Sequence, residues 1–125
     1  MNAMDSSAWL EYLAAGPNAA FFAEAIENTA ELIVPTISLY EVFKRIVQQR
    51  SENDALQVVA IMQQGKIADL DSRTALSAAR ISIDHHLPMA DSIMLATAWM
   101  NNATLWTQDS HFEGVKNVKY KKTES

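Results

Sequence analysis

The sequence predicts an α/β fold: a central, mostly parallel sheet of four to five strands with helices on both faces, in three layers. Three observations point there. Short apolar runs alternate along the chain with longer segments of helical period. Their order is strand, helices, strand, helices, strand, helices, strand, strand, as in a parallel sheet joined by crossover helices. One helical segment, Met89 to Met100, is apolar nearly all round, as a helix buried inside a layered fold must be.

Residues 1–5 have room only for a short strand. The segment SSAWLEYLAAG then reads as a helix capped by Ser6 or Ser7 and stopped by Gly16-Pro17. Residues 18–29, NAAFFAEAIENT, give a second amphipathic helix. Leu32-Ile33-Val34 is a buried strand stopped by Pro35. A helix is expected from Ser38 to Arg50, and another from Asn53 to Gln64, closed by Gly65. Lys66 to Leu70 is a short strand. Ser72 to His85 is a helix with Leu76, Ala79 and Ile83 on one face, and Leu87-Pro88 ends it. After the apolar helix come two strands, Ala103 to Thr107 and a lysine-rich Val115 to Tyr120.

A chain of 125 residues is expected to form one domain, 1–125. With 49% hydrophobic residues it can bury an ordinary core. No apolar run approaches the roughly 20 residues of a membrane span. The N-terminal MNAMDSSAW lacks a basic segment and a long apolar one, so no secretory signal is expected. The absence of cysteine removes disulfides, thiolate catalysis and cysteine zinc sites, and is compatible with the cytoplasm. A net charge of −5 argues against broad nucleic-acid binding. However, four of the six lysines cluster between Lys116 and Lys122.

Four carboxylates stand out: Asp5, Glu41, Asp91 and Asp109. Asp5 and Asp109 each follow a predicted strand, and ligands of open parallel sheets bind beyond the carboxyl ends of the strands. Taken singly, each also reads as a cap or turn residue. Ser38-Leu-Tyr-Glu41 fits a capping box, with Glu41 reaching back to the cap amide. Asp91 is the least easily explained, because an unpaired charge in an apolar helix costs several kcal/mol. Converging carboxylates repel unless protons or cations intervene. A hard divalent cation takes oxygen ligands and suits phosphate chemistry. The four acids therefore point to metal-dependent phosphoryl transfer.

Nearly the whole chain resembles the PIN-domain proteins, most closely the small VapC-type toxins of bacterial toxin–antitoxin pairs. The resemblance rests on MDSSAWLEYL, on ISLYEVFKRI, and on LPMADSIMLATAW followed by ATLWTQDSHF. The family's acidic positions fall on Asp5, Glu41, Asp91 and Asp109, and its supporting hydroxyls on Ser6 and Thr107. The first strand is shorter than usual in the family, and Trp106 is bulkier than the usual aliphatic residue. The resemblance implies an endoribonuclease using one or two Mg²⁺ or Mn²⁺ ions held by Asp5, Asp91 and Asp109, with Glu41 as ligand or orienter of water. It implies a VapB-type antitoxin partner, a homodimer through helices around residues 38–64, and no direct DNA binding by this chain alone.

Lys44, Arg45, Lys116, Lys119, Lys121 and Lys122 are candidate RNA contacts; lysines on a last strand also guard a sheet edge against aggregation. Asp84-His85-His86 reads as a solvated helix end. His111 reads as a surface residue, and Trp9, Trp99 and Trp106 as core. Two rivals remain: a PIN fold that binds without cleaving, and a Mg²⁺-binding receiver domain. The latter fits poorly, because serines rather than a second acid follow Asp5.

Overall fold

Five strands form one sheet in the computed structural model, which describes residues 1–124. They are β1 (Asn2–Met4), β2 (Leu32–Pro35), β3 (Lys66–Ala68), β4 (Thr104–Thr107) and β5 (Val118–Tyr120). All pair in parallel, in the order β3-β2-β1-β4-β5. The central register sets Asn2 against both Leu32 and Thr104. The helices are α1 (Ser6–Leu13), α2 (Ala19–Glu27), α3 (Thr36–Gln49), α4 (Glu52–Met62), α5 (Ser72–His85) and α6 (Met89–Met100).

The period of two along each strand sorts side chains into two cores. Ala3, Ile33 and Leu105 face α5 and α6, where Ala78, Ile81, Met94, Leu95 and Phe112 pack. Met4, Leu32 and Val34 face the other layer, with Trp9, Phe22, Val42, Ala55 and Met62. From Ser92 to Ala98 every residue of α6 is buried, as its all-round apolar sequence requires. Gly65 follows α4 where the chain crosses close to β2: a β-carbon there would lie 2.9 Å from Val34 Cγ2.

The strand order creates the position that matters. From β1 the chain winds outward through β2 to β3, then crosses back and continues through β4 to β5 on the other side of β1. The reversal lies between β1 and β4. At such a switch point the connections leave the sheet in opposite directions and open a crevice at the carboxyl edge.

Four expectations need correction. The cap of α1 is Asp5 itself, whose Oδ1 accepts the Ala8 N–H (3.1 Å), not Ser6 or Ser7. Helix α3 begins at Thr36, so Ser38 lies inside its first turn and donates to the Pro35 carbonyl (2.6 Å). The capping box therefore does not form, and Glu41 is free of it. Strand β5 starts at Val118, because the chain turns through Asn117 at φ 59°. On α5 the stripe of Leu76, Ala79 and Ile83 faces solvent, while Thr74, Ala78 and Ile81 face the core. Leu76 is 75% exposed and Ile83 65%.

These placements separate two leucines that sequence alone treats alike. Leu95→Ala is expected to cost about 2–5 kcal/mol in chemical denaturation, and Leu76→Ser to stay within about 0.5 kcal/mol. Equal losses would contradict the assigned face of α5.

Candidate metal centre

Each acid reaches the switch point by a different route. Asp5 ends β1 and caps α1. Glu41 lies in the second turn of α3, which leaves the end of β2 directly through Pro35. Asp91 stands in the first turn of α6. Asp109 follows β4 and caps a 3-10 turn, Ser110–Phe112. All four meet at the carboxyl edge of the sheet. Asp5 interacts with Asp109, and Asp91 with both Asp109 and Glu41.

Asp5 is the most deeply placed, at 4% exposure. Its Oδ1 accepts from the Ser7 hydroxyl (2.7 Å) and the Ala8 N–H, and its Oδ2 from the Thr107 hydroxyl (2.7 Å). Thr107 Oγ1 in turn accepts the Asp109 N–H (2.9 Å), so one hydroxyl joins the two acids. Burial pushes the Asp5 carboxyl up to about 6, against the pull of its three hydrogen bonds, with the Asp109 charge adding to the rise. Ser6, by contrast, serves Glu41: its hydroxyl donates to Oε1 (2.5 Å). Of the two serines after Asp5, Ser7 holds that carboxylate, although the family's supporting hydroxyl falls on Ser6.

The closest grouping is Asp91, Asp109 and His111, each offering a ligand atom within 4.8 Å of the others. His111 Nδ1 lies 2.8 Å from Asp91 Oδ2 and 3.4 Å from Asp109 Oδ1. Burial raises the Asp91 carboxyl, opposed by the His111 contact and reinforced by the charges of Asp109 and Glu41. The Asp91 hydrogen bond, then the two aspartate charges, raise the His111 imidazole. Among the described residues no lysine or arginine forms an ion pair with any of the four acids. The chemistry of this set suits a divalent cation. Two carboxylates and a nitrogen converge, further acids stand behind them, and no fixed cation of the protein neutralises the cluster. Asp5 and Glu41 fall outside the closest three, and Asp5 spends most of its lone pairs on its donors.

The basic candidates spread out. Arg45 lines a cleft of about 490 Å³ with Ser7 and Gln108, neighbours in sequence of Asp5 and Asp109. Lys44 lies over the Tyr40 ring and Lys119 over Trp106, at 4.7 Å. Lys116 precedes β5, so the parallel sheet puts it at the edge opposite the acids. Lys122, also a candidate, shares a surface hollow with Asp109 and Ser110. Asp84, His85 and His86 remain exposed; Asp84 pairs with Arg80, and His85 rests against Trp99.

The raised Asp5 carboxyl has a consequence for stability. An acid whose folded pKa exceeds its unfolded value stabilises the fold below the unfolded value, and that stability is lost as pH rises through the folded one. For Asp5 the window runs from 3.8 to about 6. In EDTA at pH 7.5, Asp5→Asn is expected to raise stability by about 1–3 kcal/mol, because the amide oxygen keeps the cap and the buried charge is gone. The gain should vanish near pH 4. A variant equally destabilised at both pH values would contradict this account of Asp5.

Comparison with known proteins agrees with the geometry. The chain matches the family described as PIN domain over residues 3–118. No curated protein matches it in sequence. A toxin–antitoxin complex from Klebsiella pneumoniae shares its fold at a TM-score of 0.81 and 18% identity, over 94% of this chain and 95% of that one. VapBC2 from Rickettsia felis, bound to a DNA fragment from its promoter, does so at 0.74 and 13%, over 98% of both chains. VapC20 from Mycobacterium tuberculosis, described as a sarcin-ricin loop cleaving toxin, gives 0.75 and 11%, over 93% of this chain and 95% of that one. At such identities the likeness is one of fold. The family match itself spans most of the chain, with all four acids inside it, and so this protein belongs to the PIN-domain family.

Proposed function

We propose that the protein is a divalent-metal-dependent endoribonuclease, the toxin of a toxin–antitoxin pair, folded as one domain. The observation that carries this reading is the meeting of Asp5, Glu41, Asp91 and Asp109 at the switch point without a lysine or arginine to balance them. Asp91 and Asp109 would hold the cation, Mg²⁺ or Mn²⁺, with Asp5 as a further oxygen ligand. Glu41, whose Oε2 Ser6 leaves free, would orient the attacking water and take its proton. Such an ion supplies Lewis acidity, steadying charge on phosphate oxygens and easing deprotonation of water.

The chain's own residues do the rest. The acid edge repels a bare phosphodiester, so RNA is bound only where a cation offsets the charge, which couples binding to the metal. Arg45, beside the cleft next to Ser7, and Lys44 on the same helix draw the backbone in. Water adds to phosphorus opposite the departing 3′ oxygen. Its oxygen bonds to phosphorus, the P–O3′ bond breaks, its proton passes to Glu41, and the 3′ oxygen takes a proton from solvent. The products are a 5′-phosphate and a 3′-hydroxyl. Thr107 and Ser7 keep Asp5 and the Asp109 backbone in register throughout.

The partner reading follows the same surface. A VapB-type antitoxin lays its C-terminal segment over the acid edge with a basic side chain, and any DNA contact belongs to the antitoxin. The chain pairs with a second copy. The surface of α3 and α4 where Tyr40, Val47 and Leu56 are exposed suits this role. No described helix is long and apolar enough to cross a membrane. The working compartment proposed is the cytoplasm.

Purified protein free of antitoxin is expected to cut RNA with Mg²⁺ or Mn²⁺ and to stop in EDTA. Asp91→Asn should lose at least about 100-fold in rate while keeping its circular dichroism spectrum. Full activity in that variant would sink the assignment. A folded wild-type protein that binds RNA yet never cuts would support a binding module instead.

A further inference from the structure

The ligands proposed for the cation are all oxygen, yet the side chain that touches both Asp91 and Asp109 is a histidine. His111 sits in the middle of the 3-10 turn Ser110–Phe112. Its backbone N–H donates to Asp109 Oδ1 (2.9 Å), and the next residue, Phe112, is fully buried among Ala78, Leu95 and Leu105. The turn is thus pinned at the acid on one side and in the core on the other. Although His111 is 56% exposed, its ring is held with Nδ1 between two carboxylates.

The two separations from His111 have the spacing of coordination edges, and all three ligand atoms lie within 4.8 Å of one another. Two ligands on neighbouring corners of an octahedron with bonds of about 2.1 Å stand about 3 Å apart. The 2.8 and 3.4 Å separations from Nδ1 to the two aspartates bracket that value. Among the described residues the outer Nε2 makes no hydrogen bond. It is therefore free to take the ring proton when an ion replaces the Nδ1–Asp91 hydrogen bond, leaving the Nδ1 lone pair for that ion.

We propose that His111 is a nitrogen ligand of the cation and that it biases the site toward Mn²⁺ over Mg²⁺. The inference rests on the metal-dependent reading of the acids. Oxygen-only sites suit Mg²⁺, Ca²⁺ or Mn²⁺, whereas imidazole nitrogen favours first-row transition ions. A face of two carboxylates and one imidazole keeps the ion that accepts both. Mg²⁺ gains little from the nitrogen.

Electron spin-echo modulation of Mn²⁺ bound to the full chain tests this directly, beside His111→Gln and His111→Asp. The wild type is expected to show coupling to a coordinated ¹⁴N, and both variants to lose it. In His111→Gln, Mg²⁺ should displace Mn²⁺ at a Mg²⁺:Mn²⁺ ratio lower by at least about tenfold. His111→Asp should retain Mn²⁺ through a carboxylate while its preference moves toward Mg²⁺. Mn²⁺ bound without nitrogen coupling, or coupling that persists in His111→Gln through His85 or His86, overturns the inference and leaves the metal-dependent reading standing. Failure of the wild type to bind Mn²⁺ at all overturns both.

Discussion

One buried carboxylate organises this molecule. Asp5 ends the central strand, caps the first helix and accepts the hydroxyl of Thr107 from the neighbouring strand. Those three roles need one geometry. The strand must stop at Met4, the helix must start at Ser6, and β4 must run alongside far enough to bring Thr107 level. Removing an aspartate from water is costly. Three hydrogen bonds recover part of that cost, and burial still holds the carboxyl at about 6. The fold keeps an unfavourable group at the centre of its sheet, the kind of local conflict expected at working sites.

The remaining acids extend the conflict. Asp109 is tied to Asp5 through Thr107, Asp91 faces Asp109, and Glu41 faces Asp91. The only basic partner within the described residues is His111. Like charges brought this close raise one another's affinity for protons or cations. The strand order explains why they meet. The switch point between β1 and β4 is where α1 and the turn after β4 depart, while the second turn of α3 and the first turn of α6 reach the same edge. Four segments far apart in sequence thereby deliver one acid each.

Much of this was legible in the sequence, because the signals were local. Alternating apolar runs gave the strands, and the all-round apolar segment gave α6. The four acids were legible because each broke or followed such a run. What escaped depended on distant partners. Ser38 and Glu41 carry the spacing of a capping box, but Pro35 starts α3 early and turns Ser38 inward, a tertiary effect no window of four residues reveals. Leu76 and Ile83 follow helical period, yet Thr74, Ala78 and Ile81 define a competing face, and packing against α6 chose it. Ser7 and Ser6 are chemically alike, so only the path of α1 decides which serves Asp5. His111 is exposed, as its sequence suggests, but its contact with Asp91, twenty positions away, is invisible in sequence.

Whether the switch-point acids form a cation site is decided by anomalous diffraction from crystals grown with Mn²⁺. An anomalous peak is expected between Asp91 and Asp109, within reach of His111. A peak elsewhere on the surface, or none at saturating Mn²⁺ with the same side chains well ordered, would contradict it.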